Sequence, residues 1–176
     1  MEDLGKKVAM VVKDNFEQSE MEETKQLLEQ AGVQVDLVGL EVGKVHGLEH
    51  VKIGDTFTTD FALNDISPDG YDGVVLPGGA VNADELRVVP EAQSFVAEMY
   101  NAGKVVAAIC HAPWVLISAG IAEGHTLTSF PTIRDDIENA GGIWVDEEVS
   151  IDDNIITSRN PNDIPAFSEA IVNALT

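Results

Sequence analysis

The one cysteine among 176 residues, Cys110, stands in the segment Ala108-Ile109-Cys110-His111-Ala112-Pro113. An apolar, strand-like run over 105–109 ends at it, and a run over 113–119 that reads as a helix opens with proline just beyond. Where a strand turns sharply into a helix, the residues two before and two after the turn are pressed together, so both must be small. Ala108 and Ala112 meet that condition, which predicts a strained, exposed thiol at an elbow. A helix N-terminus beneath the sulfur and an imidazolium at His111 would both favour the thiolate, the form that attacks. The alternative for a lone cysteine is a buried, inert core residue. Elbow spacing and the adjoining histidine favour the reactive thiol. With a single cysteine no intramolecular disulfide can form, in keeping with a reducing compartment.

Other candidates are weaker when taken singly. Gly78 and Gly79 follow a strand and let the backbone approach a ligand closely, so an N–H there could face an oxyanion; otherwise they are a tight turn. Glu17 and Glu20 follow the first strand one helical turn apart and share a face. In so acidic a chain most carboxylates are simply solvated. His46 and His50 have i,i+4 spacing but no companion cysteine or further histidine nearby, and His125 stands alone, so no metal site is expected.

The elements that must position these residues follow from periodicity. Residues 6–12 read as a buried parallel strand, a stretch through Met21, Leu27, Leu28 and Ala31 as a helix ending at Gly32, and 33–40 as the next strand, together a βαβ unit. Residues 41–72 are irregular, with short antiparallel strands and a loop. Strands are predicted at 73–76, 105–109, 148–151 and 155–157, and helices at 90–101, 113–119, 134–139 and 163–175. The alternation predicts one α/β domain over 1–176, a three-layer sandwich with a mostly parallel central sheet. Ligands of such sheets bind beyond the carboxyl ends of the strands, which singles out the loops at 14–20, 77–84 and 110–113.

Composition narrows the function further. Hydrophobic residues make up 44% of the chain, enough for a proper core. The formal charge of -21, from 10 basic and 31 acidic residues, repels nucleic acid and anionic membrane. The first residues lack the basic flank and long apolar region of a secretory signal, and no apolar run approaches the roughly 20 residues that span a bilayer. The expected location is the cytoplasm. Acidic residues spread along the whole chain also suggest a salt-adapted, halophilic surface.

Several separated segments, in order, carry a resemblance. They are Asp14-Asn15-Phe16-Glu17-Gln18-Ser19-Glu20, Leu76-Pro77-Gly78-Gly79, the segment around Cys110, Ile117-Ser118-Ala119-Gly120, Arg134-Asp135-Asp136 with Asn139-Ala140-Gly141, and Thr157-Ser158-Arg159. Over residues 8–175 the chain resembles the PfpI family of intracellular cysteine proteases, within the ThiJ/PfpI superfamily that also holds the parkinsonism-associated deglycases and glyoxalase III enzymes. The resemblance implies a flavodoxin-like fold of the class I glutamine amidotransferase type. It implies Cys110 as nucleophile, His111 as base, and Glu20 as a protonated acid on the sulfur. Gly79 and His111 N–H groups would form the oxyanion hole. The third triad member would be Asp84 of a neighbouring subunit, with Glu85 its alternative and Glu17 as support. The site would thus need a homodimer or a hexameric ring. Phe130 stands where the parkinsonism-associated branch has histidine, and Ala112 where the amidotransferases have glycine, so neither site is carried over whole. After Glu20 the run Met21-Glu22-Glu23-Thr24 replaces an apolar stretch common in the family.

The activity this implies is stress-protective and needs no cofactor. The expected reaction is deglycase or glyoxalase III chemistry on methylglyoxal or its adducts through a Cys-His-Asp site. Two alternatives stand beside it: intracellular peptide hydrolysis, and a non-catalytic redox-sensing or chaperone-like role in which Cys110 oxidises reversibly. The charge pattern makes its own prediction, that the melting temperature rises between low and molar salt. A flat or falling Tm across that range removes salt adaptation.

Overall fold

The computed structural model describes residues 2–176. The first βαβ unit comprises β1 (Lys6–Val11), the short β2 (Phe16–Glu17), α1 (Gln18–Gln30) and β3 (Val33–Gly39). The irregular region resolves into the hairpin β4 (Lys44–Glu49) and β5 (Lys52–Thr58), followed by β6 (Phe61–Ala62). Next come β7 (Gly73–Leu76), α2 (Ala80–Leu86), α3 (Pro90–Asn101), β8 (Val105–Ile109) and α4 (Pro113–Ser118). The chain continues through β9 (Thr126–Leu127), α5 (Arg134–Asn139), β10 (Ile143–Trp144), β11 (Ser150–Asp152), β12 (Ile155–Ser158) and α6 (Ile164–Leu175).

The central sheet has the order β11-β12-β8-β7-β1-β3-β6, parallel throughout except for β11 at one edge. Its strands alternate strictly between two cores, as the period of two demands. Val8, Met10, Val75, Ala107 and Ile109 face α1 and α6, where Met21, Leu28, Phe167 and Ile171 cover them. Ala9, Val11, Val74, Leu76, Val106 and Ala108 face the other way, onto Phe95, Val96 and Met99 of α3 and Val115 and Leu116 of α4. Both faces are buried, so the strands read as continuous apolar runs. Each fully buried aliphatic or aromatic side chain contributes roughly 1.5–3 kcal/mol. The three-layer α/β/α sandwich is the one predicted.

The strand order reverses between β1 and β7, the switch point at which loops splay apart to leave a crevice. The loops after β1, β7 and β8 therefore meet at one end of the sheet. Asn82 of α2 joins two of them. Fully buried, it accepts the Lys13 N–H at 2.7 Å and donates from Nδ2 to the carbonyls of Pro77 and Gly78 at 3.1 and 3.0 Å. Residues 77–84, read from sequence as a loop, thus run into a seven-residue helix that starts at Ala80. The double glycine ahead of it hid the start of that helix from periodicity.

The position of the edge strand also departs from the expectation. The edge strand lies at Ser150–Asp152, later than predicted, because Asp153 adopts φ 54 and closes a tight antiparallel turn into β12. The β4–β5 hairpin is tied to α1 by Gln18, whose side chain accepts the Asp55 N–H at 2.7 Å and donates to the Asp55 carboxylate at 2.9 Å. No helix among the described residues is long and apolar enough to cross a membrane.

Replacing Asn82 with alanine leaves one buried N–H and two carbonyls without their partner. Asn82→Ala is expected to lower the unfolding free energy by about 3 kcal/mol, read from urea denaturation. Asn82→Asp, which keeps the acceptor but loses both donors, should recover only part of it. A loss under about 0.5 kcal/mol for Asn82→Ala, the range of an ordinary surface change, rules out this bracing role.

Candidate active site

Cys110 follows β8 with φ 65, a left-handed conformation that a residue with a side chain adopts at a cost of about 1–2 kcal/mol. Hydrogen bonds on both sides hold it there. Its N–H donates to Ser158 O at 3.0 Å, its carbonyl accepts the Phe130 N–H at 2.9 Å, and Ala112 N–H closes the turn onto Ile109 O at 3.0 Å. Ala108 and Ala112 are both buried against the turn, as the elbow spacing requires. The end of β12 is braced in turn by Arg159. Its guanidinium grips the buried Asp163 carboxylate through two bonds of 2.9 and 3.0 Å and reaches Asp146 at 2.9 Å. Local backbone geometry thus makes the elbow and the neighbouring strand fixes it.

The thiol itself is not exposed, contrary to what the elbow suggested: Cys110 retains 7% of its accessible surface. Its Sγ lies 3.1 Å from His111 Nδ1. The backbone N–H groups of Gly79 and His111 are directed at the same sulfur. Gly79 has φ 91 and stands so close to the Asn15–Glu17 backbone that a Cβ would lie 2.6 Å from Glu17 N. Glycine is the only residue that presents its N–H to the sulfur from that position.

Glu20, in the first turn of α1, is fully buried. Its Oε1 accepts the Gly78 N–H at 3.0 Å, and the carboxyl lies within hydrogen-bonding reach of the Cys110 thiol. Oε2 is buried and has no hydrogen-bond partner among the described residues. A helix N-terminus favours a charged carboxylate by about 0.3–1 kcal/mol. Burial opposes this with a larger penalty, and with Glu17 nearby it raises the Glu20 pKa from 4.5 to about 8. Glu20 is thus a protonated acid at neutral pH. Gly78 is glycine for the same reason of space, since a Cβ would meet Glu20 Oε1 at 2.5 Å and Cys110 Cβ at 2.7 Å.

The thiol is pushed well above its ordinary value, first by burial and then by any charge on Glu20, while the Gly79 and His111 N–H groups pull it down. Burial also lowers the His111 pKa, so the ring is neutral at rest. The sequence had suggested an imidazolium that favours a standing thiolate. The site instead holds a protonated thiol beside a neutral imidazole.

His111 is enclosed by aromatic rings: Phe130 stacks on it at 4.8 Å and 24°, and Trp114 meets its edge at 5.3 Å. The Thr132 hydroxyl lies 3.3 Å from Nε2. Phe130, Trp114, Thr132 and Asn82 all escaped the sequence reading of the site. Phe130 was noted only as a departure, and the others carry no motif. Asp84 and Glu85 lie exposed on α2, Glu85 with Lys13 at 3.4 Å, and neither hydrogen-bonds His111 within the described chain. Glu17 acts on the hairpin: its carboxylate accepts the His50 N–H at 3.2 Å.

A doubly wound α/β domain with a cysteine elbow, two N–H groups on the sulfur and a buried acid beside it defines a class of cysteine-centred proteins. The DJ-1/PfpI family model matches residues 6–174, and the chain belongs to that family. It is 38% identical to Deglycase TK1284 of Thermococcus kodakarensis, over 96% of this chain and 99% of the relative. It is 35% identical to Protein/nucleic acid deglycase 2 of Escherichia coli, over 98% and 99%. A crystal structure of a two-domain protein from Anabaena variabilis, with DJ-1/ThiJ/PfpI-like and ferritin-like domains, superposes with a TM-score of 0.91 at 35% identity. That match covers 97% of this chain and 48% of the other.

Because Glu20 holds its proton to about pH 8 in the folded state and to about 4.5 in its ordinary state, folding takes up a proton between those values. The stability linked to it is complete below pH 4.5 and is lost as pH rises through about 8, by about 1.4 kcal/mol for each pH unit crossed. Glu20→Gln, which keeps the Gly78 acceptor and cannot ionise, should therefore gain in Tm on the wild type as pH rises from about 5 to about 9. Parallel melting curves across that range mean that Glu20 is ionised throughout.

Proposed function

We propose that the protein is a cysteine-dependent deglycase or glyoxalase III that acts on methylglyoxal or its adducts. The observation that carries this reading is Cys110 Sγ at 3.1 Å from His111 Nδ1, with the Gly79 and His111 N–H groups directed to the sulfur. Deglycase relatives such as those of T. kodakarensis and E. coli support the same class.

In this mechanism Sγ bonds to the aldehyde carbon as its proton passes to His111 and then to the aldehyde oxygen, giving a hemithioacetal. The oxyanion that forms on the way is held by the Gly79 and His111 N–H groups. His111 next removes the proton from the former aldehyde carbon and returns it to the adjacent carbon through an enediol. Water then cleaves the resulting thioester to lactate and the free thiol. The sum is methylglyoxal plus water, with no external oxidant, reductant or metal in the balance. Glu20, protonated, stabilises the developing thiolate and adds no negative charge of its own. The partner subunit's Asp84 is the acid that completes the Cys-His-Asp site, with Glu85 its alternative, and the working form is a homo-oligomer in the cytoplasm.

The low exposure of the sulfur favours a small aldehyde over an extended peptide, whose backbone must lie across the nucleophile. It also suits a carbonyl adduct at the end of a flexible side chain. The expected result is methylglyoxal loss with matching lactate formation, abolished by Cys110→Ala and lowered at least tenfold by Asp84→Ala. Cleavage of a fluorogenic peptide is the competing outcome. Lactate formation that survives Cys110→Ala ends the assignment, and strictly monomeric, fully active protein by light scattering ends the role of Asp84.

A further inference from the structure

His111 is the one ring in the site with both nitrogens engaged: Nδ1 by the Cys110 sulfur at 3.1 Å and Nε2 by the Thr132 hydroxyl at 3.3 Å. A neutral imidazole has one N–H and one lone pair, so the two partners must see opposite roles. Glu20 decides which is which. Its Oε1 accepts from Gly78 and its buried Oε2 has no hydrogen-bond partner, so the proton that burial keeps on the acid is free to turn to the neighbouring sulfur. The sulfur's own proton must then point elsewhere, and Nδ1 is the acceptor at hand. Nδ1 carries the lone pair, and the ring proton sits on Nε2. An Nε2–H in this half-buried place needs an acceptor, and among the described residues Thr132 Oγ1 is the one within hydrogen-bonding distance.

We infer that Thr132 is a positioning residue for the thiol–imidazole pair: its hydroxyl accepts the His111 Nε2–H, keeps the Nδ1 lone pair on the sulfur and supports the imidazolium once the thiol proton arrives. This rests on the reading of His111 as the base. Proton movement balances without any added group: the S–H bond breaks, an Nδ1–H bond forms, and Nε2–H continues to donate to Oγ1. Phe130 and Trp114 fix the plane of the ring but offer no acceptor in it, so they cannot replace the hydroxyl. Thr132 is exposed and follows Pro131 at the start of a single turn, so no core packing depends on its methyl group. Thr132 orients the ring within one chain, whether or not an acid reaches the site from a second copy.

The test measures the rate of Cys110 alkylation by iodoacetamide against pH, which involves no substrate of the proposed reaction. Thr132→Val should slow alkylation at neutral pH by roughly tenfold, the loss of one hydrogen bond to a charged ring, and move the rising limb of the profile to higher pH. Thr132→Ser, which keeps the hydroxyl, should restore both within about twofold. In a His111→Ala background Thr132→Val should have no further effect. Nitrogen spectra of histidine-labelled wild type should place the resting proton on Nε2. A Thr132→Val profile that superposes on wild type, an equal slowing in the His111→Ala background, or a resting proton on Nδ1 each overturns the inference. Should Thr132→Val melt well below wild type, Thr132→Ala takes its place in the same comparison. A shifted profile combined with no turnover of methylglyoxal would refute the substrate assignment and leave the role of Thr132 standing.

Discussion

Glu20 reaches from the first turn of α1 into a space walled by Gly78 and Cys110, where one wall has no side chain because none would fit. A carboxyl in that place cannot keep a charge cheaply, so it keeps a proton beside the sulfur. The consequence runs outward through the site. A protonated acid on one side of the thiol leaves His111 Nδ1, at 3.1 Å, as the acceptor open to the thiol's own proton. An ionised acid would reverse each step, since its charge would raise the thiol further and invite the S–H to point at the carboxylate. The chemistry of the cysteine is thereby linked to the burial of a residue 90 positions earlier in the chain.

Rigidity comes from the way three strand ends are bound to one another. β7 leads through Pro77 into the glycine pair, β8 into the strained cysteine, and β12 ends at Ser158, whose carbonyl holds the cysteine N–H. Asn82 fastens the loop after β1 to the loop after β7, and the bidentate Arg159–Asp163 pair anchors the end of β12. Positive φ at Cys110 is sustainable because bonds on both flanks would be lost if it relaxed. The same network explains why the sulfur, although lifted out of the strand by the elbow, remains covered. The loops that fix it also roof it.

The ring of His111 has a different kind of support. Two aromatic side chains from separate elements, Phe130 and Trp114, restrict its plane without engaging its nitrogens in that plane. In-plane direction is left to sulfur and to a hydroxyl.

Much of this was written into the primary structure. Alternating apolar strands and helices dictated a parallel sheet with two covered faces, because only that arrangement buries strands apolar on both sides. Alanines two residues either side of Cys110 dictated an elbow, because only small residues survive the turn. Gly78 and Gly79, Glu20 and His111 could be picked out by type and spacing near strand ends. Their relations could not. Asn82 and Thr132 act through contacts with residues 69 and 21 positions away that no periodicity encodes. α2 went unread behind the glycine pair that precedes it. The sign of every titration was likewise a tertiary matter. A cysteine at a helix N-terminus beside a histidine reads as a thiolate, and it is burial, a through-space property of the folded chain, that makes it a thiol awaiting a base.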